Sequence, residues 1–232
     1  MIDDVLRGGR FGVLLLVAVF LSGCNIFGFI AAKSQSDVRV TAAYNDLHGQ
    51  SVAILVDADE RQHLEHPDLE TDLAKYIKTC LQESKAKELE KTKYQDPDKI
   101  AQFQAAYPQL RGLPPTEYAH MLGVTRVIWV EVRTFSTRED VAVELLRGAG
   151  NCNLRVIEVK PQVADSAKIT WSENDIGARY PDQEGERQNE VILPGANDTA
   201  QSVYQKTCET MALRIAEHFY EHDQNESIGA AQ

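Results

Sequence analysis

No hydrophobic run in this chain is long enough to cross a bilayer; residues 11–20 (FGVLLLVAVF) supply about half of the roughly 20 that a spanning helix needs. Cysteine is scarce, four in 232 residues, and no two stand at C-x-x-C spacing, which excludes ribbon-type zinc sites and thioredoxin-like redox pairs. Positive charge is short as well. Lys and Arg number 24 against 35 Asp and Glu, for a net charge of −11, so nucleic acid and anionic headgroups are repelled. There is no G-x-S-x-G elbow, no P-loop and no dinucleotide fingerprint. What remains is ordinary for a globular protein, 43% hydrophobic and 25% charged.

The amino terminus carries an address. Arg7 and Arg10 precede the apolar run, which ends in Leu21, Ser22, Gly23 and Cys24. The run has the length of a secretory signal, and no A-x-A-like cleavage site follows it. The tetrapeptide resembles the lipobox of bacterial lipoproteins, in which the cysteine is lipidated and becomes the new N-terminus. That resemblance implies a signal peptide at 1–23, diacylglycerol and an N-acyl chain on Cys24 and no other cofactor, with a tether at 24–37. Asn25 is not the aspartate linked to inner-membrane retention in enteric bacteria, so an outer-membrane lipoprotein facing the periplasm is expected. Acyl chains, each buried methylene contributing about 0.8 kcal/mol, then supply the membrane attachment.

Without residues 1–23 the 232-residue chain keeps 209, enough for one substantial domain, expected at 38–222 with a flexible tail at 223–232. Residues 38–44 alternate and read as extended. Residues 51–56 (SVAILV) form an apolar run with no polar face, as a central strand covered on both sides should. A charged loop is expected at 57–66, then a helix opening at Pro67 with Leu69, Leu73, Tyr76, Ile77, Cys80 and Leu81 on one stripe. The charged stretch 85–94 reads either as a continuation of that helix or as a lysine-guarded edge strand. Asp96 and Pro97 start a further helix to about Tyr107, and a short helix at 115–122 closes on Gly123. Strands are expected at 124–135, 153–160 and 167–171. A polar loop follows at 172–197, then a last helix at 199–222 buries Tyr204, Cys208, Met211, Ala212, Ile215 and Phe219. The order argues a single α/β domain with a mixed β-sheet flanked by helices.

Residues 51–56 before a helix, 119–124 (AHMLGV) leading into 127–130 (VIWV), and 154–159 (LRVIEV) followed by Ile169 and Trp171 carry a resemblance. In this order they are similar to the periplasmic lipoprotein superfamily of CsgG, LpoB and the TolB N-terminal domain, over roughly residues 38–222. The resemblance implies a TolB N-terminal or CsgG-like fold and a scaffold or accessory role in envelope assembly or secretion. The partner would be another envelope protein or further copies of the chain, with no nucleic acid and no reaction. Channel-forming members need long amphipathic hairpins. Neither 136–150 nor 172–193 shows sustained apolar alternation, so no pore is expected.

Candidate chemistry is thin. Asp57, Asp59, His63 and His66 gather beyond the central strand, where open α/β sheets bind ligands, and they are the candidate ligands for a divalent metal. A solvated acidic loop is the competing reading, and the one the sequence favours. His218 and His222 stand four apart, but Phe219 occupies the position a zincin gives to its glutamate. Residues 148–150 (GAG) read as a turn, and Cys152 as the start of a strand with no nearby histidine. Cys80 and Cys208, both on apolar helix faces, are expected as buried thiols, with a disulfide between them as the alternative. No catalytic constellation is expected.

Overall fold

The apolar run at 51–56 has no polar face to offer water, so it must sit inside a sheet, and it does. The computed structural model describes residues 39–139, 142–161, 163–181 and 199–223; Cys24, the expected tether and the tail beyond Asp223 lie outside them. Strand β1 is Arg39–Val40 and β2 is Ser51–Ala58. Helices α1 (Glu60–Glu65) and α2 (Leu69–Glu83) follow, then β3 (Lys93–Tyr94) and α3 (Pro97–Ala106). Three long strands come next, β4 (Arg126–Glu139), β5 (Ala142–Glu158) and β6 (Lys168–Tyr180). Helix α4 (Ala200–Ala216) and β7 (His222–Asp223) close the described chain.

Five strands pair in the order β3-β2-β4-β5-β6. The pairs β2–β3 and β2–β4 are parallel, while β4–β5 and β5–β6 are antiparallel, so the sheet is mixed. Side chains alternate across it. Val52, Ile54 and Val56 share one face with Ile128, Val130, Leu154 and Val156, under α2 and α4. Ala53, Leu55, Val127 and Ile157 lie on the other, packed with Ile100 of α3 and with Tyr118, Ala119 and Leu122. On α2 the stripe buries Leu69, Leu73, Ile77 and Leu81 completely or nearly so, and each such side chain contributes about 2 kcal/mol. Tyr76 and Cys80 flank it, half-buried.

Local chemistry sets the boundaries. Asp59 caps α1, its carboxylate accepting from the Gln62 amide at 2.8 Å, so the expected loop at 57–66 is the end of β2 followed by a short helix. Pro67 and Asp68 make a turn, and α2 begins at Leu69 rather than at the proline. Asp96 and Pro97 open α3 as expected, and Gly123 stops the chain at φ +70° after 3-10 turns that replace the short helix of 115–122. The charged stretch 85–94 holds a 3-10 turn and the two-residue edge strand β3. Among the described residues of the extended segment 38–44, Arg39–Val40 form a strand, and it pairs with His222–Asp223. The last helix therefore ends at Ala216, and Asp223, expected in the flexible tail, lies in a strand.

The strands β5 and β6 run well past their expected limits. Residues 148–150 are mid-strand, not a turn, because α4 crosses β5 there at close range. A Cβ on Gly148 would stand 1.7 Å from Thr207 Oγ1, and one on Gly150 would stand 2.2 Å from Met211 Sδ. Cys152 is likewise mid-strand and buried, and Cys80, Cys152 and Cys208 are free thiols. The amino-terminal segment is tied down by Arg126, which is buried and donates to the Tyr44 hydroxyl, the Asp46 carboxylate and the Thr125 carbonyl. The Tyr44 amide also donates to the His218 carbonyl at 2.9 Å.

Candidate functional site

The alternation that puts Leu55 under α3 puts Asp57, two residues on, on the same face at the carboxyl end of β2. Its parallel neighbour β4 carries Trp129, Glu131 and Arg133 there, and β5 adds Asn153 and Arg155. Trp129 Nε1 donates to Asp57 Oδ2 at 2.8 Å. The Arg155 guanidinium lies 4.5 Å from the centre of the Trp129 ring and pairs with Glu131 at 3.1 Å. Glu131 also accepts from Arg133 at 2.8 Å and from Asn153 at 3.2 Å. These side chains, drawn from three strands, brace one another on a face of the sheet.

Burial pushes the Asp57 carboxyl up from 3.8 to about 6; the Trp129 hydrogen bond and Arg111 oppose this, while Glu70 and Glu131 add to it. For Glu131 burial works the same way, but hydrogen bonds from Arg155, Asn153 and Arg133 outweigh it and hold its carboxyl below the ordinary value. Glu70, in the first turn of α2, accepts from the Ala58 amide at 3.1 Å and from Arg111 at 3.4 Å. Asp57 is therefore the weaker acid of the cluster and Glu131 the stronger.

The four proposed metal ligands go separate ways. Asp57 turns to Trp129, and Asp59 is consumed as the cap of α1. His63 Nδ1 lies 3.7 Å from Glu70. His66, half-buried, packs against the Phe135 and Tyr204 rings on the far side of the sheet, and burial lowers its basicity. Among the described residues no group of three or more His, Cys, Asp or Glu is placed to hold a metal ion. His218 and His222 do not form a helical pair: His218 lies in the turn after α4 against Trp171, and His222 is in β7. The Cys152 and Cys208 thiols are pushed by burial to about 12, far from nucleophilic range.

No family model matches the chain, and no curated protein matches it. Solved structures do. The PelC dodecamer from Paraburkholderia phytofirmans matches at 9% identity and a TM-score of 0.38, over 77% of this chain and 95% of that one. Lipoprotein GNA1162 from Neisseria meningitidis matches at 10% and 0.37, over 56% and 81%. The hypothetical protein CT253 from Chlamydia trachomatis matches at 16% and 0.37, over 72% and 96%. These are likenesses of outline only. The α/β assignment stands on the strand order of the chain itself.

Sequence reasoning looked for the site in the loop after β2 and missed Trp129, Glu131, Arg133, Asn153 and Arg155. A signal was present. In VIWVEVR the residues at 129, 131 and 133 alternate with buried valines, and in NLRV Asn153 and Arg155 alternate with buried Leu154 and Val156. A strand that alternates large polar or aromatic residues with buried aliphatic ones presents a face that is not simply core.

Proposed function

We propose that the chain is a lipid-anchored lipoprotein of the bacterial envelope, facing the periplasm at the outer membrane. It has no catalysis of its own and no cofactor beyond the acyl chains at Cys24. It binds an envelope protein through the half-buried sheet face around Trp129 and Arg155. The observation that carries this reading is the Arg155 guanidinium laid over Trp129 and fixed by Glu131. Trp and Arg dominate the energetics of protein interfaces, and side chains already held in place lose little freedom on binding. The resemblance to the CsgG, LpoB and TolB superfamily belongs to this reading, carried by the packing pattern of residues 51–56, 119–130 and 154–171.

Crosslinking in intact cells, detergent extraction and mass spectrometry test it. The parent chain should capture a defined envelope protein, and Arg155→Ala should lose that protein while keeping the parent's circular dichroism. An unchanged set of captured proteins with Arg155→Ala would refute the proposal.

A further inference from the structure

Residues 39–43 are fastened to the fold by few bonds. Arg39–Val40 pair with His222–Asp223, and Arg39 reaches Glu221 at 3.3 Å and Asp223 at 3.8 Å. Those ion pairs are largely exposed and add little. Tyr44 is held more firmly. Its amide donates to the His218 carbonyl at 2.9 Å, its hydroxyl accepts from Arg126, and its ring packs against Trp171 and Phe219. The segment 39–43 can therefore leave while Tyr44 stays.

A cleft of about 830 Å³ lies beside this segment, with Val40, Thr41 and Ala43 as one wall and His218 and His222 among its other lining residues. The His218 ring is half-buried, 5.7 Å from that of Trp171. Histidine is the side chain that ordinarily changes charge between about pH 5 and 8, and burial disfavours the charged form. Each element around the cleft bears on that charge. On β6, Glu173 favours a proton on His218, with Asp175 and Arg179 further along the strand. On β7, His222 opposes it. On the α4 side, Arg214 and Glu217 pair with each other at 3.8 Å. Residues 40–43 bring no ionisable side chain. Burial is the largest of these effects, and it lowers the basicity of His218 while the segment is in place.

We propose that the β1–β7 seam is an acid-released clasp, in which a proton on His218 frees residues 39–43 and removes one wall of the cleft. Water then reaches the imidazole, so the open form holds the proton more tightly than the closed one. Closure is full above the ordinary histidine range and weakens as pH falls through it. Glu173 is the brake, because its charge lets the closed form tolerate the proton. Opening adds five residues to the chain between the expected anchor and the fold, about 17 Å of reach. The clasp is separate from the Trp129–Arg155 face and does not depend on it.

The test uses the full, lipidated chain in detergent micelles, with the half-buried Cys80 replaced by alanine. Nitroxide labels go on Thr41→Cys and Gln205→Cys, both exposed and the second on α4, and their separation is read by pulsed electron spin resonance. One narrow distance is expected at about pH 7.5, with a second, broad population about threefold or more larger at about pH 5. A reference pair on Thr79→Cys and Gln205→Cys, within the body of the fold, should not change. His218→Phe keeps a ring against Trp171 and removes the charge, so the second population should no longer grow in acid. Glu173→Gln, at an exposed position, should enlarge that population at the lower pH and leave the higher pH unaltered. This variant leaves the core untouched and decides the matter if His218→Phe fails to fold. The proposal is overturned by a 41–205 distance that ignores pH, by an acid response shared with the reference pair, or by one that persists in His218→Phe. A Glu173→Gln chain that matches the parent in acid overturns it as well.

Discussion

At the scale of single residues, Asp57 carries the sharpest expectation. Its carboxyl titrates at about 6 in the fold against 3.8 when unperturbed, because burial disfavours the charge. Between those values the folded chain holds more protons than the unfolded one, so stability falls as pH rises through that window and stays lower above it. Asp57→Asn keeps an oxygen for the Trp129 indole and removes the titration. The variant should exceed the parent's stability at pH 8 by on the order of 2 kcal/mol and show little gain at about pH 3.5. Urea unfolding at both pH values checks this, and an equal difference at the two would refute it. Asp57 was legible as a candidate in the sequence, but its partners were not. The Trp129 indole is 72 positions away, and only strand register brings the two within hydrogen-bond distance.

At the scale of elements, the crossing of α4 over β5 depends on two missing side chains. Gly148→Ala forces a methyl into Thr207, whose β-branched side chain is stiff in a helix and whose hydroxyl is engaged by the Val203 carbonyl at 2.6 Å. Gly150→Ala meets the Met211 thioether, which is flexible enough to swing aside. Both should destabilise, by about 1–3 kcal/mol, with Gly148→Ala the worse. Chemical denaturation of the two variants gives the order directly, and the reverse order would show that α4 yields as a body. Elements that announce themselves by period were readable: the run 51–56, the stripe on α2 and the buried face of α4 all lie where expected. The hairpin of β4 and β5 was not. Residues 142–150 mix Glu, Arg and Gly, and the glycines that looked like a turn are there for a helix some 60 positions away.

At the scale of the whole molecule, the expected anchor makes its own prediction. Cys24→Ser should move the chain from the membrane to the soluble envelope fraction, because acyl chains rather than a basic patch would hold a body of net charge −11. Fractionation of cells decides the matter, and a serine variant that stays in the membrane would refute acyl anchoring.

The pairing of β1 with β7 has a mechanical consequence. A chain fixed at Cys24 has 15 residues of leash before Arg39, about 50 Å when drawn straight. Tension along that leash is met first by the two-residue pairing of Arg39–Val40 with His222–Asp223, and only then by Arg126 gripping Tyr44 and Asp46. The weaker fastening stands in front of the stronger one. A pull from the membrane would peel the first few residues away, removing Val40, Thr41 and Ala43 from beside β6, before it strained the core.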